Sequence, residues 1–285
     1  MKEKRVKKKY EIDMCSGSVP VKMLLFSVPL ICSGMLQLLF NAADVVVVGQ
    51  FAGDDSLAAV GSTSSLINLF TNVFIGLSVG CNVLTARYFG ADSKKEIEDT
   101  VHTSIAVAFI SGIVITVLGI ALAPFILKMM DTPEWGLATM YLCLYFLGMP
   151  AMMVYNFGSA ILRAVGDTKR PLYYLTFAGF INVVMNLLFV IVFKMDVAGV
   201  ALATGISQVI SAILVVRCLM KETGSIHLDL RKIRIKKGIL FKILQIGLPA
   251  GVQGTLFSLS NVFINFSYIS FNLSILSSGT VTTPT

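Results

Sequence analysis

Seven long apolar runs follow one another along this chain, at residues 23–48, 62–86, 101–129, 137–162, 172–193, 197–219 and 239–266. That succession is the strongest constraint on the fold, because a bilayer core of about 30 Å is crossed by about 20 apolar residues at 1.5 Å each. The runs are continuous rather than alternating, which favours helices over barrel strands. A lipid-exposed strand would also leave its backbone groups unsatisfied. Only 14% of the 285 residues are charged and 55% are hydrophobic, whereas a soluble domain carries roughly a quarter charged residues. A water-soluble globule and a disordered chain are both excluded. The expected class is an all-α polytopic membrane protein embedded in the lipid bilayer.

The cations are strongly sided. With seven crossings and a cytoplasmic N-terminus, 21 of the 23 lysines and arginines fall in cytoplasmic segments, and only Lys128 and Lys194 fall outside. This bias predicts a multi-pass protein of the cell inner (cytoplasmic) membrane with its N-terminus inside. The net charge of +7 therefore reads as topology and implies no nucleic-acid partner. The apolar run after the basic leader is too long for a signal-peptide core and lacks a small-residue cleavage site, so it reads as a mature first helix.

The first and seventh runs repeat one another. Lys22, Pro29, Gly34, Leu36 and Asn41 match Lys242, Pro249, Gly254, Leu256 and Asn261 at one shared offset. Both runs start from the cytoplasmic side, so the repeats are expected to be parallel, as in one class of secondary transporter. The chain then divides into a basic cytoplasmic leader (1–21), an amino-terminal six-helix lobe (22–220), a basic cytoplasmic inter-lobe loop (221–238), the first helix of a second lobe (239–264) and an atypical tail (265–285). The tail is uncharged, rich in Ser and Thr, and unlike the turn that follows the first helix. On this reading the chain is a truncated or frame-shifted product, ending one helix into its second copy.

Of the 16 acids only Asp44 lies within a span. An ionised carboxylate at bilayer depth costs roughly 2.5 to 3.5 kcal/mol even on the lenient insertion scale, so something must offset it. Gln37, Asn41 and Asp44 follow i, i+4, i+7 spacing and share one helix face, which can point into a bundle interior. Burial opposes the charge and nearby amide donors favour it, a competition suited to a proton- or cation-coupled switch. Further polar groups come from the fifth run (Asn182 and Asn186), the sixth (Thr204 and Gln208) and the fourth (Asn156). Asn68 and Asn72 of the second run read as interhelical glue. Together these uncharged hydrogen-bonding groups around one acid describe a polar cavity in an apolar bundle, which is a transport site more than a catalytic one.

Signals for an enzyme are missing from the sequence. It has no Walker A motif for ATP-driven transport. His102 and His227 stand apart, and no paired His or Cys spacing predicts a metal site. Five scattered cysteines read as inert thiols. No cofactor is expected.

Several stretches resemble the multidrug and toxic compound extrusion (MATE) transporters, of the bacterial branch that includes the DNA-damage-inducible F proteins. They are residues 29–49 (PLICSGMLQLLFNAADVVVVG), 57–61 (LAAVG), 161–171 (ILRAVGDTKRP), 182–189 (NVVMNLLF), 197–208 (VAGVALATGISQ) and 247–261 (GLPAGVQGTLFSLSN). The resemblance implies a twelve-helix transporter of two six-helix lobes around a central cavity, exporting organic cations and related amphiphiles in exchange for H+ or Na+. The family's coupling acid falls on Asp44 and its partners on Asn156, Asn182 and Thr204. Asn186 stands where many members place a second acid, a departure that leaves the coupling ion open.

For an intact transporter, Asp44 with Asn182, Asn186 and Thr204 is expected to hold the coupling ion or proton. Gln37, Asn41, Asn156 and Gln208 are expected to line the substrate cavity, and Pro29 to supply a hinge. Three other readings compete. A lipid-linked oligosaccharide flippase shares the architecture but should need mid-span cations for its diphosphate. A seven-helix receptor would place the N-terminus outside. A half-transporter lacking its second lobe would transport nothing alone.

Overall fold

The computed structural model describes residues 18–129 and 134–277, with only the backbone described for 261–277. Nearly all of the basic leader and the end of the tail lie outside the described residues. Eight α-helices account for the seven apolar runs: α1 (Val19–Phe51), α2 (Asp54–Gly90), α3 (Lys94–Met129), α4 (Trp135–Leu147), α5 (Met149–Ala164), α6 (Lys169–Leu187), α7 (Asp196–Lys221) and α8 (Lys237–Ser277). Six are long and apolar enough to cross a membrane singly, and α4 with α5 makes a seventh span. The chain is a multi-pass helical membrane protein.

The run at 137–162 is not one helix. It breaks at Gly148, and α4 and α5 meet at 46°. Pro150 explains the break: its ring cannot continue the preceding turn, and it sits instead at the start of a new helix, where a missing N–H costs nothing. A second irregularity closes α6, where residues Leu188–Val192 form a π turn. α8 also departs from expectation. It continues to Ser277 rather than ending at 264, and no glycine or proline lies between Gly254 and Gly279 to stop it.

α1 leans on α6, with Phe40 against Gly179, where a β-carbon would collide with the ring. α3 packs on α5 where Gly112 meets Pro150, and α5 packs on α7 where Gly158 meets Val215. Small residues at such crossings let helices approach closely, which matters in lipid because apolar burial there drives nothing. The closest approach joins α2 to α8, with Gly76 and Gly80 facing Gly247 and Gly251 backbone to backbone. Asn72 seals the same seam. Its amide donates to Ser258 Oγ at 2.6 Å and to Gly254 O at 3.4 Å, the interhelical bond expected of it. Lys242, the repeat counterpart of Lys22, donates to the Tyr88 hydroxyl at 2.9 Å.

The connections α2–α3, α5–α6 and α7–α8 gather at one end, the basic end. There Arg170 bridges Asp167 in the α5–α6 turn and Glu222 at the end of α7. Segment 222–236 is bound along the start of α3. Asp99 accepts from Arg234 at 3.1 Å and pairs with Lys236, and Thr103 bonds both backbones at 3.3 Å. His102 is not isolated in the fold. Its Nδ1–H donates to Glu98 O at 2.7 Å, and its Nε2 accepts the Asp229 N–H at 3.1 Å. A carbonyl can only accept and an N–H only donate, so this geometry assigns the neutral Nδ1–H tautomer.

Candidate functional site

Asp44 lies four residues beyond Phe40 on α1, so the helix that packs against Gly179 carries its carboxylate to α6 and α7. Asn182 and Asn186, one turn apart on α6, are buried there, and Thr204 approaches from α7. The four side chains form a closed ring. Asn186 Nδ2 donates to Asp44 Oδ1 and, at 3.4 Å, to Asn182 Oδ1. Asn182 Nδ2 donates to Thr204 Oγ1 at 3.3 Å, and Thr204 Oγ1 makes a longer bond to Asp44 Oδ2 at 3.5 Å.

Both ring donors that reach Asp44 present hydrogens to it, the polarity a carboxylate needs. A protonated Asp44 can still donate from Oδ2 to Thr204 Oγ1, whose hydroxyl rotates to accept, but it loses the charge that strengthens both of its bonds in the ring. The Asn186 carbonyl oxygen is buried with no hydrogen-bond partner among the described residues. Such an unsatisfied acceptor is costly in an apolar surround and is a free oxygen for a cation or a donor.

The remaining sequence-predicted residues divide. Gln208, one turn below Thr204 on α7, lines a small cavity with Tyr145, Gly148, Met149, Met152, Thr204 and Gly205. Asn156 does not join the ring; its amide donates to Met152 O on its own helix at 2.9 Å. Gln37 and Asn41 share a face with Asp44 but are exposed, so they do not point into the interior of this bundle. The lobe is open on that side, and nothing among the described residues covers them. Pro29 is buried inside α1, and Ser33 Oγ donates to its carbonyl at 2.8 Å.

Two residues that sequence reasoning missed stand near the ring. Tyr141 and Tyr145 of α4 lie within electrostatic reach of Asp44, with ring centroids 5.9 Å apart. Their i, i+4 spacing places them on one face and was the available signal. Among the described residues no cluster of His, Cys, Asp or Glu could hold a metal ion. Cys32, Cys81, Cys143 and Cys218 are free thiols.

Among the described residues, six single spans and one bent pair around an intramembrane carboxylate bonded by an amide and a hydroxyl define a polytopic helical membrane protein with a polar interior site. The chain belongs to the MATE family, whose model, MatE, matches residues 29–188. The probable multidrug resistance protein YoeA of Bacillus subtilis (strain 168) is 31% identical over 256 residues, covering 87% of this chain and 55% of YoeA. A crystal structure of MATE in the bent conformation superposes with a TM-score of 0.81 at 26% identity, covering 89% of this chain and 57% of that one. The outward-facing conformation of a multidrug resistance MATE family transporter gives 0.80 at 27% identity, covering 87% and 55%. The chain spans about half the length of the curated relatives it matches. Homologues of this family are transporters, not enzymes.

Proposed function

We propose that this chain supplies the amino-terminal lobe, with the first helix of a second lobe, of a secondary transporter that exports amphiphilic or cationic small molecules in exchange for H+ or Na+. The motif set favours the bacterial DNA-damage-inducible F-like branch. The observation that carries the reading is the ring of Asn182, Asn186 and Thr204 around Asp44.

In this mechanism the deprotonated ring holds the coupling cation or substrate, with the free Asn186 oxygen as a further ligand. Protonation of Asp44 from the outer side removes the charge that strengthens its bonds to Asn186 on α6 and Thr204 on α7, and so loosens α1. α1 then repacks about Pro29, where the proline removes the backbone hydrogen bond to Leu25. Similar chains have been solved in a bent and in a straight conformation. Repacking α1 between two discrete arrangements is the bistable element such coupling requires.

The repeat bears on what completes the cavity. α8 rests on α2, and its counterpart α1 leaves Gly34 with open space around it and Gln37 and Asn41 exposed. In a parallel two-lobe arrangement that face of α1 receives the second lobe, so transport requires one and the six-helix lobe alone exports nothing.

The test is dye efflux by a chimera in which the second half of YoeA continues this chain's α8. Asp44→Asn is expected to reduce H+- or Na+-driven efflux at least about tenfold, one decade being about 1.4 kcal/mol of coupling, with membrane abundance unchanged. Efflux that survives the substitution removes Asp44 from the coupling role. The orientation has its own check: a protease-cleavable tag before Met1 is expected to be protected in intact cells and cut in inverted vesicles. Cutting in intact cells reverses the topology.

A further inference from the structure

The segment Leu230–Lys237 combines three properties at one place. Leu230, Ile233 and Ile235 expose 49%, 38% and 42% of their surface, far more than loop residues folded onto a core. Cations stand between and just after them: Arg231, Lys232 and Arg234, then Lys236 and Lys237. Arg234 and Lys236 are tied to Asp99, and Lys232 reaches Glu98 only loosely, at 3.7 Å and 64% exposed. Arg231 and Lys237 are exposed with no carboxylate bonded to their side chains among the described residues.

Where the segment is anchored shows what it faces. At 100° per residue, Asp99 and Thr103 fall with Ile110, Ile113 and Val117 inside an arc of about 80° on α3. Those three apolar residues are 47%, 42% and 61% exposed, so the arc is a lipid-facing flank of the span. The segment bound to Asp99 and Thr103 therefore sits at the rim of that flank, where hydrocarbon gives way to headgroups. The Asp99 pairs, the Thr103 bonds and the His102 bond to Asp229 hold its backbone in place before any ligand arrives.

We propose that Leu230–Lys237 is a preformed site for anionic phospholipid headgroups. Arg231, Lys232 and Lys237 meet the phosphate and headgroup charge, while Leu230, Ile233 and Ile235 dip into the acyl boundary. Alternating cations and exposed apolar side chains at an interface is the chemistry that binds an anionic leaflet. That this end faces the cytoplasmic leaflet rests on the orientation proposed above; the site itself does not depend on what is transported.

Native mass spectrometry of the purified 285-residue chain in detergent tests it, with phosphatidylglycerol and phosphatidylcholine as probes and inorganic phosphate as competitor. Phosphatidylglycerol is expected to bind at least about tenfold more tightly than phosphatidylcholine and to resist displacement by phosphate. Each cation near an anionic surface is worth roughly fivefold, so Arg231→Gln with Lys232→Gln and Lys237→Gln is expected to lose on the order of 100-fold. Arg231→Lys should retain binding, which separates charge from folding. Ile233→Asn with Ile235→Asn should weaken it severalfold.

Equal binding of the two lipids, or full binding by the triple variant, overturns the proposal and leaves these cations as topology determinants. Displacement by phosphate would make it a free-anion site. Loss of binding when Lys2, Lys4, Arg5, Lys7, Lys8 and Lys9 are changed to Gln would move the site to the leader. None of these outcomes involves an efflux measurement, so the proposal and the transport reading fail separately.

Discussion

Arg170→Met is expected to lower the melting temperature in detergent by roughly 10 °C, the largest effect of any single side chain at the basic end. Arg170 donates from Nε to Asp167 and from Nη1 to Glu222, and its backbone N–H donates to Asp167 Oδ1 at 3.1 Å. The Asp167 side chain is 0% exposed and that of Glu222 6%. Removing the guanidinium takes the Arg170 counter-charge from the fully buried Asp167 carboxylate and one of its partners from Glu222. Breaking a buried ion pair from one side costs about 3 to 5 kcal/mol, because the remaining charge has no water to return to. At about 2 to 4 °C per kcal/mol for a chain of this size, the loss reaches about 10 °C.

Two companions identify the cause. Arg170→Met combined with Asp167→Asn and Glu222→Gln removes the stranded charges and is expected to recover more than half of the loss. Arg170→Lys keeps a charge but not the fork that serves two carboxylates, so an intermediate value is expected. A shift of under about 2 °C in the single variant would show that water reaches the cluster and that surface-pair energetics apply.

How far the sequence is readable follows the range of the interactions. Span lengths and the repeat are local or periodic properties, and six of the seven apolar runs return as single helices long enough to span, the seventh as the bent pair α4 and α5. Asn182 and Asn186 were readable as a pair because a helix puts i and i+4 on one face, and the structure does bring them to Asp44. Gln37 and Asn41 obey the same rule and yet lie exposed, because periodicity says which residues share a face but not what lies opposite. Tyr141 and Tyr145 were hidden for another reason: an aromatic residue in an apolar run has the same pattern as lipid-facing filler.

The α7–α8 connection was the least readable element. Its partners on α3 lie 127 to 137 residues away in sequence, and a basic stretch between spans reads as an orientation signal whether or not it is folded. The break at Gly148 was visible in the Gly-Met-Pro triplet, but hydropathy averages over such a kink. The continuation of α8 to Ser277 was concealed by composition, since Ser and Asn lower mean hydropathy without ending a helix.

Gly251→Leu is expected to unseat α8 from α2. At this crossing a β-carbon on Gly76 would overlap the Gly251 backbone, and one on Gly251 would overlap the backbone of Val73. Backbone atoms cannot rotate aside as a side-chain tip can, so the two helices must separate or slide. Either movement opens the seam along its length and stretches the Asn72 to Ser258 hydrogen bond, now 2.6 Å. Overpacking of this kind costs about 1 to 3 kcal/mol in forgiving cores, and more is expected here because no side chain can absorb it.

A cysteine pair reports the geometry directly. With the native cysteines changed to alanine, Asn72→Cys and Ser258→Cys are expected to cross-link readily on mild oxidation. Adding Gly251→Leu should reduce the cross-linked fraction at least about tenfold, since a disulfide needs Cα atoms within about 7 Å. Gly34→Leu is the matched control. Gly34 is the repeat counterpart of Gly254, yet it has nothing within 4 Å, so the same added side chain should leave the cross-link intact. If Gly251→Leu also left it intact, the close α2–α8 approach would be wrong, and with it the placement of α8 as the first helix of a second lobe seated on the first. If Gly34→Leu instead abolished the cross-link, α1 would already be covered on the face assigned to that second lobe.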